Sequence, residues 1–367
     1  MTTTRTIRLA LLLLAPWPAL AEEAVDWRDV RTLTVEGRGW DEPALKAPFD
    51  RLPAKAEGIV RPPVWGLSRD SAGIAVRFVT DATAIHVRWT LAKASLAMPH
   101  MPATGVSGVD LYARDQDGAW RWLAVGQPTE KANARLLAQG MEPGRREYML
   151  YLPLYNGVTN VELGVPAGAE IVPGPAREPA AAKPVVVYGT SIVQGGCASR
   201  PGMVHTAILG RRLDRPVVNL GFSGSGTMDQ SIADLLGEID AALYVIDCLP
   251  NMSAKQVAER TVPLVQTIRA ARPDVPILLA EDRSFANARF LESHRRDAAA
   301  RRAALRESYD RLVAEGVTGL RYMEGDAQIG DDGEGTVDGS HPTDLGFVRM
   351  ADAFEPAIRK AMESKAP

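Results

Sequence analysis

Two textures divide the chain. From residue 25 to about residue 168 apolar and polar positions alternate, whereas beyond about residue 183 short apolar runs are separated by segments with helical spacing. In the first stretch, residues 74–79 and 84–89 alternate on either side of the turn-like Thr80-Asp81-Ala82-Thr83. Residues 109–113 and 120–124 do the same around Asp115-Gln116-Asp117-Gly118, and residues 148–152 and 158–163 continue the pattern. A period of two sends successive side chains to opposite faces of a strand, so one face is buried and the other wet. Short strands of this kind at regular intervals predict an antiparallel β-sandwich, jelly-roll-like, over residues 25–172.

The Pro/Ala-rich stretch from Val172-Pro173-Gly174-Pro175 to Lys183-Pro184 marks a boundary. After it, residues 185–188, 217–220, 242–246 and 277–280 read as strands apolar on both faces. Helical spacing covers residues 203–213, 231–238, 254–271, about 289–314 and 345–361. Fully apolar strands alternating with helices predict a parallel sheet covered on both sides, a three-layer α/β domain over residues 183–367. Sites in such sheets lie outside the carboxyl ends of the strands.

The first residues follow a third pattern. Arg5 and Arg8 precede an apolar run over residues 9–14, and Ala19-Leu20-Ala21 has the small-x-small form of a cleavage site. Residues 1–21 therefore read as a signal peptide, which places the mature protein in a periplasm or outside the cell. The run is too short, and too broken by Pro16 and Pro18, to span a bilayer; no other segment could cross one. The net charge of −3 comes from 42 basic and 45 acidic residues of mixed order, a balance that points to no nucleic-acid partner. Cys197 and Cys248 could pair in an oxidising compartment or stay free, and they lack the spacing of a zinc site. No H-x-x-x-H or H-E-x-x-H occurs, and Asp331-Asp332-Gly333-Glu334 lacks the spacing of a calcium loop, so no metal or cofactor is expected. The oligomeric state is left open.

Candidate chemistry gathers where the strands end. The first apolar strand runs into Gly189-Thr190-Ser191, which places a serine hydroxyl at the crevice and its N–H near a helix N-terminus. Ser191 could equally be an ordinary helix cap. The second leads into Asn219-Leu220-Gly221-Phe222-Ser223-Gly224-Ser225-Gly226, whose glycines let a backbone N–H turn toward a ligand oxygen. A dinucleotide fingerprint fails there, because Asp229 stands where its third glycine would fall. After the third comes Asn251, able to donate its amide to an oxyanion or to cap the helix that begins near Ser253. Of five histidines, His86 sits in an alternating strand, His100 in a Met/Pro loop, His205 in an apolar helix and His294 among arginines. His341 alone follows an acidic residue by three positions within a loop, Asp338-Gly339-Ser340-His341, so Asp338 can hold one ring nitrogen while the other faces Ser191. The G-x-S-x-G elbow of α/β-hydrolases is missing, because Gly189-Thr190-Ser191-Ile192-Val193 has no closing glycine.

Together these blocks resemble the SGNH (GDSL-type) hydrolase superfamily. Gly189-Thr190-Ser191-Ile192 is similar to its first block, with Thr190 where Asp is commoner, and the segment from Asn219 to Gly224 to its second. Leu249-Pro250-Asn251 resembles the third block without its usual glycine, and Asp338-Gly339-Ser340-His341 the fourth. Gly108-Val109-Asp110-Leu111-Tyr112 resembles the G-x-D-L-Y signature of a β-sandwich that precedes the hydrolase domain in one bacterial branch, and residues 194–203 resemble that branch's segment after the nucleophile. The resemblance implies a three-layer SGNH domain behind a sandwich. Its catalytic residues would be Ser191, Asp338 and His341, with an oxyanion hole from the Ser191 and Gly224 N–H groups and the Asn251 side chain. It also implies a serine esterase acting through an acyl-enzyme on short-chain, chiefly acetyl, esters.

All six tryptophans outside residues 1–21 lie before the boundary, either as platforms for an acetylated saccharide or as sandwich and interdomain packing. Two other readings compete: a non-catalytic carbohydrate- or lipid-binding protein on the same fold, and a nucleotide-binding α/β protein using residues 221–226.

Overall fold

The computed structural model describes residues 24–363; the expected signal peptide lies outside them. Ten strands occupy its first half: β1 (Val25–Asp29), β2 (Thr34–Glu36), β3 (Ala75–Thr80), β4 (Ala84–Leu91), β5 (Val109–Arg114), β6 (Trp120–Gly126), β7 (Ala132–Gln139), β8 (Arg146–Tyr151), β9 (Val158–Pro166) and β10 (Ile171–Pro173). They form two antiparallel sheets. One orders β1-β9-β4-β7; the other orders β10-β3-β8-β5-β6, with β2 beside β10 on the same edge of β3. Val76, Phe78, Leu111 and Leu150 of the second sheet meet Val87, Trp89, Val161 and Leu163 of the first in one buried core.

The β5–β6 pair is the hairpin that the alternation predicts. The β3–β4 pair is not: β3 and β4 lie in different sheets, and Asp81-Ala82-Thr83 carries the chain across the sandwich. Both strands bury apolar residues toward one shared core, so the same alternation suits a hairpin or a crossover. The second sheet is also covered on its outer face. Ala75, Tyr112, Met149 and Tyr151 pack against Val204, Ala207 and Ile208 of the second half. Arg77, which alternation assigns to solvent, is therefore buried, paired with Glu36 and Glu147.

The second half is a parallel sheet of β11 (Val185–Gly189), β12 (Val217–Gly221), β13 (Leu243–Asp247), β14 (Ile277–Ala280) and β15 (Leu320–Met323), ordered β12-β11-β13-β14-β15. One face carries the helices Gln230–Leu236, Ala254–Ala271 and Glu292–Ala314; the other carries His205–Leu213 and Asp344–Glu363. The first face has an additional cover. Leu52, Ala56, Val60 and Val64, from the segment between β2 and β3, pack with Val186, Tyr188, Val218 and Tyr244. Arg51 is fully buried there, donating to the carbonyls of Leu67 (2.6 Å), Asp70 (2.8 Å), Asn219 (3.2 Å) and Gly221 (2.6 Å). Among the described residues no helix is long and apolar enough to cross a membrane.

This strand order has its switch point at β11: the chain leaves one side for β12 and returns on the other for β13. Connections there diverge to opposite faces and open a crevice beyond the strand ends. Gly189 and Asp247 are register partners at that edge.

Candidate active site

Ser191 opens a single helical turn, Ser191–Gln194, immediately after β11. The capping role falls to Thr190, whose hydroxyl accepts the Ile192 N–H (3.3 Å). Thr190 therefore does the local work an Asp would do at a cap, and the Ser191 hydroxyl is released from it. That hydroxyl, in a residue only 7% exposed, lies 2.8 Å from His341 Nε2. The opposite ring nitrogen, Nδ1, is 2.7 Å from Asp338 Oδ2. Asp338 Oδ1 accepts the backbone N–H groups of His341 (2.8 Å) and Ser340 (3.0 Å). Burial pushes this carboxyl up, but those N–H groups and the imidazole outweigh it and hold the pKa at about 2. An anionic Asp338 requires a proton on Nδ1, which leaves the Nε2 lone pair for the serine.

The loop that carries His341 is fastened from below. Buried Arg283 donates to the Ser340 carbonyl from Nε (3.0 Å) and Nη2 (2.8 Å), and to Ser340 Oγ (2.8 Å). Gly339, at φ +88°, turns its carbonyl to the Ala286 N–H (3.0 Å). Asp247, at the end of β13, is buried near the same arginine; burial drives its carboxyl to about 7, with Arg283 lowering it and Asp282 raising it.

The glycine-rich loop after β12 lies against the Ser191 turn, with the Phe222 N–H on the Gly189 carbonyl (2.9 Å). Its glycines have different reasons. A Cβ on Gly226 would sit 2.0 Å from the Gly189 carbonyl oxygen and one on Gly221 2.0 Å from the Gln194 nitrogen, so both serve close backbone approach. Gly224 has the left-handed φ of +64°, and its N–H takes no partner among the described residues. Asn251 does not cap the following helix; Ser253 does, in a reciprocal capping box with Gln256. The Asn251 Oδ1 instead accepts the Gly226 N–H (3.3 Å). Only the amide oxygen can meet an N–H, so the NH₂ group is turned away from it, and it has no partner among the described residues. The Ser191 N–H likewise has no partner among the described residues. Three donors thus belong to the loops that meet at the serine.

The first half also reaches this crevice, through residues the alternation pattern did not single out. Tyr155 donates its hydroxyl to the Ser191 carbonyl (3.1 Å). Gln194 is held by Asp70 (3.3 Å) and the Leu154 carbonyl (3.2 Å) while it accepts the Ser223 N–H (3.0 Å). The His100 ring lies 6.0 Å from that of His341. These residues carry no motif, and only the tertiary arrangement brings them here. Arg200 points elsewhere: it pairs with Asp110 (2.8 Å) and the Tyr112 hydroxyl (2.5 Å) of β5, and Asp110 also takes the Gly202 N–H (2.8 Å). The tryptophans engage other partners too. Trp89 is buried in the sandwich core, Trp40 donates to Glu238, and Trp27, Trp65, Trp120 and Trp122 lie under Arg or Lys side chains. Cys197 and Cys248 are both buried free thiols; burial, aided by the Asp338 charge, pushes Cys197 up to about 11.

The model of the GDSL-like lipase/acylhydrolase family matches residues 182–359, and that of the N-terminus of SGNH-hydrolase-type esterases, named for G-x-D-L-Y, matches residues 25–171. A solved protein assigned as a GDSL-like lipase, from Bacteroides ovatus, is 34% identical over 93% of this chain and 98% of its own, with a TM-score of 0.87. The chain belongs to the GDSL-like lipase/acylhydrolase family. As a member of that family it is a carboxylic ester hydrolase. Two more distant structures share the fold. A salicylyl-acyltransferase from a tetracycline biosynthetic pathway has a TM-score of 0.73 at 19% identity, covering 92% of this chain and 97% of that one. A family two carbohydrate esterase from Cellvibrio japonicus has 0.58 at 13%, covering 93% and 99%. No curated protein matches the sequence. The G-x-D-L-Y residues at Gly108–Tyr112 form the grip on Arg200 and Gly202.

Proposed function

We propose that the protein is a serine esterase that removes short acyl groups, acetyl foremost, from hydroxyls of a saccharide. The observation that carries this reading is the relay from Asp338 through His341 to Ser191, bonded at 2.7 and 2.8 Å, beside three unpartnered donors. His341 takes the Ser191 proton as Oγ attacks the ester carbonyl, and Asp338 stabilises the imidazolium. The oxyanion forms between the N–H groups of Ser191 and Gly224 and the Asn251 amide, each such donor contributing about 10²–10³ in rate. His341 returns the proton to the departing alcohol, and water, activated by the same imidazole, releases the acid from the acyl-enzyme.

The saccharide is supported by fold likeness to carbohydrate esterases, one of them a Clostridium thermocellum enzyme solved with cellohexaose. Cleavage after residue 21 and export belong to the same proposal, as does a division into units 25–172 and 183–367. Hydrolysis of p-nitrophenyl acetate by the wild type, Ser191→Ala and His341→Ala tests the mechanism. Each variant should lose at least about 10³-fold in kcat. A wild type without turnover, or a Ser191→Ala enzyme with full activity, would refute it. A panel of acetylated sugars then tests the substrate, and N-terminal sequencing of protein from periplasm or medium tests export.

A further inference from the structure

We infer that His100, carried by the sandwich half, is a contact for the alcohol portion of the ester and selects hydroxyl-rich alcohols. The inference rests on the proposed esterase mechanism and adds the side of the site where the alcohol lies. His100 is exposed, at the tip of a tight turn in which Met98 and Met101 exchange backbone hydrogen bonds of 3.0 Å in both directions. The turn is anchored. Met101 is 2% exposed, and the following Thr104 donates to the Ser199 carbonyl at 2.6 Å. Gly105 approaches so closely that a Cβ there would lie 2.2 Å from the Ala198 carbonyl oxygen. The backbone that carries this exposed imidazole is therefore fixed before any ligand arrives, which lowers the entropy lost on binding.

Three edges of the His341 ring are accounted for. Nδ1 holds Asp338, Nε2 holds Ser191, and Cδ2 faces Gly196, where a Cβ would lie 3.2 Å away. The His100 ring stands beside it at 6.0 Å between centroids, tilted by 51°. The direction of the chemistry gives this position its meaning. The carbonyl oxygen turns toward Gly224 and Asn251, while the alcohol oxygen must reach His341 Nε2 to be protonated. The rest of the alcohol therefore extends past the His341 ring, where His100 is the neighbouring side chain. Imidazole offers both a donor and an acceptor to hydroxyl groups, and little to an alkyl chain.

The test compares one acyl group on two alcohols. Wild type, His100→Ala and His100→Asn are assayed with a mono-acetylated methyl glucoside and with p-nitrophenyl acetate. The ratio of kcat/KM for the sugar ester to that for the aryl ester should fall about tenfold in His100→Ala, a change of the size one lost hydrogen bond produces, and recover in part in His100→Asn. The loss should appear in acylation, while the alcohol is still bound. An equal loss on both esters, a loss confined to acyl-enzyme breakdown, or no loss would overturn the inference. So would a wild type active on the aryl ester alone. Absence of turnover on every ester is a different result, and removes the esterase mechanism itself.

Discussion

Asp338 uses one carboxylate to hold three groups, the His341 ring and two backbone N–H donors, within a loop of four residues. In Asp338→Asn an amide would replace the anion that selects the Nδ1–H tautomer, and kcat should fall about 10²–10⁴-fold with KM changed far less. A pH effect follows from the same bonds. The folded pKa of about 2 lies below the ordinary 3.8, so the carboxylate contributes stability above about pH 4 that is lost as pH falls toward 2. The Tm difference between wild type and Asp338→Asn should therefore close over that interval; a difference independent of pH would exclude the carboxylate as its source. Asn251→Asp makes a complementary prediction. It keeps an acceptor for the Gly226 N–H but replaces the free NH₂ by an anion, so kcat should drop about 10²–10³-fold while Tm stays near that of the wild type. Residues of this kind were legible because their chemistry is local: Asp338 and His341 lie three positions apart, and Ser191 and Asn251 each follow an apolar strand. His100 and Tyr155 were not, because a lone His or Tyr in a loop has no pattern until another element is folded against it.

At the scale of elements, the grip between β5 and the segment after the nucleophile has the largest consequence. Asp110 is fully buried and bonded to Arg200, the Gly202 N–H and Trp122 Nε1, and the adjoining Ser199 in turn bonds Asp344, which begins the helix after His341. Arg200→Ala would leave a buried carboxylate without its cation. Since Arg200 itself is partly exposed, the cost should sit at the low end for broken buried pairs, about 3 kcal/mol, measurable by urea unfolding. Elements differed in how readable they were. The helix Ala254–Ala271 was predicted with both ends correct from its helical spacing; the capping box of Ser253 and Gln256 that fixes its start came from the structure. β15, at the sheet edge, was missed: Leu320-Arg321-Tyr322-Met323 is four residues long and mixes polar with apolar positions. The β3–β4 connection was misjudged as a local turn because sheet membership is set by which strands pair, not by either strand's own pattern.

For the whole molecule, the two halves are not joined only end to end. Residues 52–64 complete the cover of the parallel sheet, and Arg51 donates to two carbonyls of its strand β12, Asn219 and Gly221, and to those of Leu67 and Asp70, with burial lowering the guanidinium to about 10. A chain shortened to residues 183–367 should therefore expose Val186, Tyr188 and Val218 and lose cooperative thermal unfolding and near-UV ellipticity; a shortened chain with wild-type Tm would disprove this coupling. Cutting there would also remove Tyr155 and Asp70 from beneath the nucleophile turn. The sequence by itself determined what short-range physics controls: most of the runs that become strands or helices, where the texture changes, and which serine, histidine and aspartate were candidates for nucleophile, base and orienting acid. Only the tertiary structure decided which glycines serve contact and which serves a free N–H, where the tryptophans go, and that the sandwich stands over His341. Those outcomes depend on surfaces far apart in the chain, and burial rather than sequence spacing selects among them.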